Sequence, residues 1–318
     1  MHDAPRPEPA DGQVCIEVHY VGLNYAEILS RKGLYGWAVK RPYILGMECS
    51  GVIESTGPGV PQSRVGERVM VGAQYGSYAE YMTVSEDQTM PAVPEFNLAE
   101  NAAFPVNYLT AWVGLVELAR IHPGDRVLVT AAAGGVGTAV VQIASTLGCR
   151  VTGVVGSEEK YRFVKSNGAH DVMTYNDLLS RAAETSNYSV AIEVVGGAVY
   201  RRALKLLRPY GRMVLLGYAS LDLKFLNPIS WYRALRDIPR VRIMNLVQQS
   251  VGIFSSHLGY LFKNRELMKK TFTNLKAFVS ENKIRPCIDK IFDFDQAAQA
   301  HAYFESRKNR GKILLKVK

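Results

Sequence analysis

Two hydrophobic rhythms divide the chain. Through roughly the first hundred residues, apolar and polar positions alternate in short runs: VCIEVHYVGL, CSGVIEST and ERVMVGAQ. Turn chemistry such as TGPGVPQSRVGE separates them. Alternation with period two predicts strands buried on one face, so this part reads as a small, mostly antiparallel β domain. From about Pro105 the rhythm changes. LTAWVGLVELARI carries apolar residues at helical spacing, HPGD punctuates, and RVLVT predicts a short buried strand. The turn AAAGGVG leads into helix TAVVQIASTLG and strand CRVTGVV. Helix EEKYRFVKSNG, strands DVMTY and VAIEVV, helix YRRALKLLRP, and strands RMVLLG and VRIMNLV follow. Such alternation predicts a parallel sheet wound by right-handed crossovers. From about Gly252 the pattern is one of amphipathic helices, SVGIFSSHLGYLF among them. A capped helix, DFDQAAQAHAYFES, and a strand, KILLKV, close the chain.

Composition narrows the class. With 318 residues the chain is long enough for two modest domains, and 47% hydrophobic against 21% charged residues is an ordinary globular balance. No apolar run approaches the ~18 residues that span a bilayer. The opening MHDAPRPEPADGQ has no apolar core and does not read as a secretory signal. Cys15, Cys49, Cys149 and Cys287 form no CxxC pair, which argues against a disulfide framework and a cysteine-rich zinc lobe. A cytoplasmic location is the expectation. The formal charge is +9, with basic clusters in YRRALKLLRPYGR, FKNRELMKK and SRKNRGKILLKVK. These read as solvated faces and a general attraction for an anionic cofactor; no nucleic-acid motif accompanies them, so no nucleic-acid partner is expected.

AAAGGVG is the stretch with the most chemistry. It follows a predicted strand and opens a predicted helix, as the dinucleotide fingerprint requires. Ala132, Gly134 and Gly137 take the three glycine positions, with alanine at the first. Gly134 lets backbone approach a pyrophosphate, Gly137 lets the helix pack on the sheet, and the helix N-terminus offers N–H groups to phosphate. Gly135 and Val136 lie between them. The second strand ends near Val155 with Gly156-Ser157 and no acidic tip. Ser157 and Lys160 suit a ribose 2′-phosphate, which favours NADPH; in a shifted register, Glu158 or Glu159 would instead serve as a ribose acid.

The order of parts resembles the medium-chain dehydrogenase/reductase superfamily over nearly the whole chain. Within it, VGLNYAEILSRKGLY, LGMECSGVIESTGPGV, ERVM, FPVNYLTAW, AAAGGVGTAVVQIA and NRGKILL are similar to the quinone oxidoreductase branch, which includes vesicle-amine-transport-like proteins and polyketide enoyl reductases. The resemblance implies an α/β protein: a GroES-like β-rich catalytic domain over residues 1–107, a Rossmann doubly wound parallel sheet over 108–249, and a segment over 250–318 returning to the first domain. It also implies a strand pair ahead of PRPEPADGQV. Because the chain starts there, either its start is mis-assigned or the β domain lacks an edge, and an unpaired edge invites association.

Zinc members of the superfamily place Cys in the turn matching VGLNYAE and His in the turn matching LGMECSG. Here Asn24 and Met47 stand there, and neither suits catalytic zinc. The resemblance therefore implies a zinc-independent enzyme with no metal. It would reduce a quinone or an α,β-unsaturated carbonyl by hydride from NADPH, and would pair as a homodimer. Alternatives are an enoyl reductase for a lipid or polyketide thioester, and a catalytically silent NADPH-binding protein with a membrane, RNA or protein partner. Asn24 is the first catalytic candidate, its amide holding cofactor ribose or acceptor oxygen, or else simply closing a turn. Tyr35 is the second, donating to the acceptor oxygen or shaping the pocket. Tyr25 lines the pocket at most, Glu48 supports its turn, and Cys49 is a small buried residue. Thr110, Tyr175, Gly217, Asn309 and Lys312 complete the expected cofactor contacts, beside Gly134, Gly135, Val136, Gly137, Ser157 and Lys160. The lysine that some polyketide enoyl reductases carry after the strand matching RMVLLG has no counterpart in Gly217-Tyr218-Ala219-Ser220.

Overall fold

The computed structural model describes residues 3–181, 187–218, 232, 238 and 241–318. In chain order the elements are β1 (Gln13–Gly22), α1 (Tyr25–Arg31), β2 (Glu48–Thr56), β3 (Arg68–Gly72), β4 (Tyr81–Ser85), β5 (Thr89–Pro91), α2 (Leu98–Ala103), α3 (Pro105–Trp112) and β6 (Arg126–Val129). Then come α4 (Gly135–Thr146), β7 (Arg150–Val155), α5 (Tyr161–Ser166), β8 (Asp171–Thr174), α6 (Tyr175–Ser180), β9 (Tyr188–Glu193), α7 (Gly197–Lys205) and β10 (Leu207–Leu215). The last are α8 (Ile243–Gln249), β11 (Gly252–Ser255), α9 (Leu258–Leu261), α10 (Arg265–Glu281), β12 (Ile288–Asp293), α11 (Ala297–Glu305) and β13 (Lys312–Lys316). They form two compact units, one of Met1–Leu109 with Leu258–Lys318, the other of Thr110–His257.

The first unit is built on a sheet in the order β12-β13-β1-β2-β3-β5, with β4 also on β1. Along one side of β1, β4 takes the first half and β13 the second; β2 runs along the other side. All pairs are antiparallel except β12 with β13. The alternation in β1 buries Val14, Ile16 and Val18 in one cluster with Ile53, Val69 and Val71. Ala300, Tyr303 and Phe304 of α11 pack on that cluster, which seats the helix on the sheet. Gly51 allows the closest strand approach: a Cβ there would stand 2.0 Å from the Glu17 carbonyl oxygen.

The second unit holds a sheet in the order β11-β10-β9-β6-β7-β8, every pair parallel. The chain enters at β6, runs outward to β8, returns beside β6 at β9 and runs outward again. This is the doubly wound Rossmann arrangement, and its switch point lies between β6 and β9. The fold class read from the sequence holds in both units.

Three local readings do not hold. VRIMNLV, read as a strand for its branched apolar residues, contains helix α8. The strand comes just after it: Gly252–Ser255 pairs with Arg212–Leu215 of β10, where a helical segment was expected. A parallel partner across a long crossover leaves no local periodicity to read. The third is the end of YRRALKLLRP, where Leu207 already belongs to β10. LTAWVGLVELARI is helical as expected, although α3 passes into a π-helical stretch over Val113–Leu118. Among the described residues no helix is long and apolar enough to cross a membrane.

Candidate functional site

In the second unit the glycine turn sits at the carboxyl end of β6. Ala131, with φ 49°, supplies the left-handed step, so Ala132 needs no glycine freedom at the first fingerprint position. Gly137 is required for room: a Cβ would lie 2.2 Å from the Ala131 carbonyl oxygen and 2.7 Å from the Ala132 Cα. Helix α4 is thus pressed directly onto its own entry turn. Gly134 is its N-cap residue and carries no capping side chain. The first N–H groups of a helix have no intrahelical acceptor, so this end presents donors and a partial positive charge. The Tyr175 hydroxyl accepts from the Ala131 N–H at 3.1 Å, which brings the start of α6 against the turn. Ser157 precedes the short 3-10 turn that follows β7, and Lys160 is its last residue. At the switch point, buried Glu193 accepts from the Val195 and Gly196 N–H groups at 2.8 and 2.9 Å and from the Thr130 hydroxyl at 3.2 Å. It ties the ends of β6 and β9 together, and burial pushes its carboxyl above the usual range. A dinucleotide fits this end of the sheet. The turn is shaped by glycines, its N–H groups are uncapped, and the residues expected to hold phosphate border it.

In the first unit the chain folds a set of charges inward. Glu48 opens β2, and Lys312 opens β13. Their side chains are 0% and 3% exposed and form an ion pair. Glu48 also accepts from the Asn24 amide at 2.9 Å and from the Val106 N–H at 2.8 Å. Lys312 donates to the Asn24 amide oxygen at 2.9 Å. An ammonium only donates, which fixes which way that amide faces. The second Asn24 amide hydrogen goes to the Gly22 carbonyl at 3.3 Å. Gly22 makes room for the cluster, since a Cβ there would collide with the Glu48 side chain at 2.8 Å.

A second buried carboxylate lies beside the first. Glu27, on the first turn of α1, accepts from the Asn24 N–H at 3.1 Å, the Met47 N–H at 2.9 Å and the Tyr78 hydroxyl at 2.8 Å. The Tyr78 oxygen is 2.9 Å from Nε2 of His301, on α11. Burial pushes the Glu27 carboxyl up to about 7 against the pull of those hydrogen bonds and of Lys312. Burial, the Glu27 charge and the hydrogen bond to Glu27 hold the Tyr78 phenol well above the usual range. Burial and the Arg31 guanidinium hold the His301 ring below its usual range. Tyr35 is half-buried, edge-on to Trp37, and its phenol is pushed up to about 12 by burial, then by Tyr260 and Glu27. It keeps its proton at neutral pH and is therefore a donor.

A folded-state value above the ordinary carboxylate range makes Glu27 a pH-dependent element of stability. Its contribution is complete below the unfolded value of 4.5 and is lost as pH rises through about 7. Relative to Glu27→Gln, the wild type should lose roughly 3 kcal/mol between about pH 4 and about pH 8. Urea midpoints of both proteins across that range test this, and a gap that does not move with pH removes the claim.

Set against the sequence expectations, the structure redraws two roles. Both Asn24 amide hydrogens are used inside the unit, so its amide is committed to Glu48, Gly22 and Lys312 rather than free to donate to an acceptor. Lys312 points into the same cluster instead of outward to a cofactor, because Glu48 offers the counter-charge there. Asn309 is buried and its amide closes its own loop onto the Gly311 carbonyl at 3.0 Å. Thr110 and Gly217 are half-buried, and Gly135 and Val136 are half-buried at the start of α4. Ala219 and Ser220 lie outside the described residues. Glu48, expected to support its turn, instead bonds Asn24, Val106 and Lys312, and Cys49 is a buried residue with its sulfur 3.6 Å from that of Met82. Tyr25 meets Phe304 edge to face. Sequence reading missed Glu27, Tyr78, His301 and Glu193. Glu27 had a signal, since Asn followed three residues later by Glu is a helix-start pattern. Tyr78 and His301 had none, being 51 and 223 residues from their partners.

Comparison with known proteins agrees with this layout. Residues 135–274 match the family described as Zinc-binding dehydrogenase, and residues 10–95 match the Alcohol dehydrogenase GroES-like domain. The synaptic vesicle membrane protein VAT-1 homolog of Rattus norvegicus is 33% identical over 314 residues, 97% of this chain and 78% of that protein. The structure of a quinone oxidoreductase from Thermus thermophilus, also solved in complex with NADPH, superposes with a TM-score of 0.82 at 30% identity, covering 99% of this chain and 95% of that one. The CurK enoyl reductase superposes with a TM-score of 0.83 at 26% identity, covering 100% and 94%.

Proposed function

We propose that this chain, which belongs to the medium-chain dehydrogenase/reductase superfamily, is a zinc-independent, NADPH-dependent reductase of quinones or α,β-unsaturated carbonyls. The observation that carries this reading is the glycine turn pressed onto α4, with uncapped N–H groups where a pyrophosphate is held. The NADPH complex of the Thermus thermophilus quinone oxidoreductase supports the choice of cofactor. NADPH supplies a hydride, and the chain supplies the rest. Gly134, Gly135, Val136 and Gly137 hold the pyrophosphate, Ser157 and Lys160 take the 2′-phosphate, and Tyr175 braces the turn. Tyr35 donates to the acceptor oxygen as negative charge develops on it. Asn24 acts as a positioning residue through its links to Glu48 and Lys312. That same cluster supports zinc independence. Asn24 and Met47 replace the ligand types zinc prefers, and the Lys312 ammonium already supplies positive charge beside Glu48.

Two other readings have specific support. The likeness to the CurK enoyl reductase favours a thioester acceptor, and the VAT-1 relative favours a binding role at a membrane. A homodimer is part of the main reading. Helix α8 exposes Ile243, Met244 and Val247 at 73%, 65% and 62%, just ahead of β11, an edge strand of the sheet. One experiment sorts these readings: loss of NADPH absorbance with a panel of quinones, enones, enals and enoyl thioesters, with chelator and with Tyr35→Phe alongside, and sedimentation of the same preparation. Turnover should prefer NADPH over NADH, survive chelator, and fall about 10-fold or more in Tyr35→Phe, from a protein of dimer mass. Preference for thioesters would select the enoyl reductase reading. NADPH binding without turnover on any acceptor would overturn the reductase reading, and a monomer would remove the dimer.

A further inference from the structure

Beyond the expected site residues, three side chains from three separate elements meet oxygen to oxygen to nitrogen. Glu27 of α1, Tyr78 of the segment between β3 and β4, and His301 of α11 are spaced at 2.8 and 2.9 Å. The place is built for the tyrosine. Gly46 has φ 106°, and a Cβ there would lie 2.6 Å from the Tyr78 ring and 2.7 Å from its backbone nitrogen. The Tyr78 N–H is held by the Leu45 carbonyl at 2.9 Å, and the Tyr78 and His301 rings meet edge to face at 5.8 Å. The middle hydroxyl therefore cannot swing away from its two partners.

Proton counting gives the line a direction. Glu27 as a carboxylate has no hydrogen to give, so Tyr78 donates to it and the Tyr78 oxygen accepts Nε2–H from a neutral His301. That tautomer leaves Nδ1 as a bare nitrogen. Nδ1 is buried, and it has no hydrogen-bond partner among the described residues. The opposite arrangement has Glu27 protonated and donating to Tyr78, Tyr78 donating to Nε2, and a hydrogen on Nδ1. The two differ by one proton added at Nδ1 and two protons shifted along existing hydrogen bonds. Nothing else must move. An Nδ1–H without an acceptor is the costlier orphan, which weighs against the loaded arrangement.

We infer that Glu27, Tyr78 and His301 form a proton relay in which protonation of Glu27 and the change of His301 from its Nε2–H to its Nδ1–H tautomer are one coupled event. Lys312 acts on Glu27, Arg31 on Tyr78 and His301, and Glu305 on His301. Glu305 is itself bridged to Arg31 and Lys32 at 2.6 and 2.7 Å.

The test follows the histidine ¹⁵N signals of the full chain through a pH titration without substrate, with His301→Gln used to identify the His301 resonances. The relay requires His301 to change from Nε2–H towards Nδ1–H in the same transition in which Glu27 protonates. Glu27→Gln should shift the His301 tautomer, and that shift should vanish when Tyr78→Phe is added. A His301 tautomer that stays constant through the titration, or is untouched by Glu27→Gln, overturns the relay whatever the protein catalyses. Absence of turnover by the wild type would sink the reductase reading while the titration still decides the relay.

Discussion

Lys312→Met should destabilise the first unit by about 3–5 kcal/mol, the usual cost of leaving one member of a buried ion pair alone. The reason is the position of Glu48. Its carboxylate is buried from solvent, and Lys312 is the positive charge bonded to it. The Asn24 amide and the Val106 N–H would remain as donors, but neither balances a charge. Methionine keeps most of the lysine stem's volume, so the loss reports charge and not packing. Urea unfolding monitored by tryptophan fluorescence gives the number. The double variant Lys312→Met with Glu48→Gln should recover part of the loss, because it removes the orphaned charge along with its partner. A loss below about 1 kcal/mol would mean that solvent or Asn24 compensates Glu48, and that the pair is not what fixes the cluster.

Gly137→Val should weaken NADPH binding by about 100-fold or more, equivalent to about 2.7 kcal/mol. The branched side chain begins with a Cβ that would stand 2.2 Å from one backbone oxygen and 2.7 Å from one backbone carbon. Backbone cannot give way there without lifting α4 off its entry turn, and the N–H groups offered to phosphate would lift with it. Fluorescence titration with NADPH measures the effect. A Gly137→Val protein that still binds within about tenfold of wild type would show that the pyrophosphate does not depend on this turn, and the cofactor reading would have to be rebuilt.

The two variants probe different logics of charge. At the glycine turn, the proposed pyrophosphate would meet backbone dipoles, so shape decides. In the Asn24 cluster, charge is met by another charge, so identity decides. Where zinc members of the superfamily place metal ligands, this chain has an asparagine held by a buried lysine and a methionine whose N–H holds a buried glutamate. The positive charge there comes from a side chain built into the fold. A lysine ammonium donates hydrogen bonds and accepts none, so it organises Glu48 and Asn24 without offering a coordination site.

Several features were legible in the one-dimensional pattern. Period-two alternation in VCIEVHYVGL marked β1, and AAAGGVG between an apolar run and a helical one marked the tight turn into α4. These signals are local, because a strand's alternation and a tight turn's glycines are imposed by neighbours in the chain. VRIMNLV was misread because branched apolar residues serve strands and exposed helices alike. Only packing reveals that Ile243, Met244 and Val247 face outward on a helix.

The sequence by itself therefore determined the two sheets, the glycine turn at the head of α4 and the absence of zinc-type residues at Asn24 and Met47. Only the tertiary structure decided that Lys312 turns inward to Glu48 and that Glu27, Tyr78 and His301 stand in line. Both outcomes come from desolvation. Once folding removes a carboxylate from water, it must find a cation or donors, and the nearest ones in space are far away in the chain.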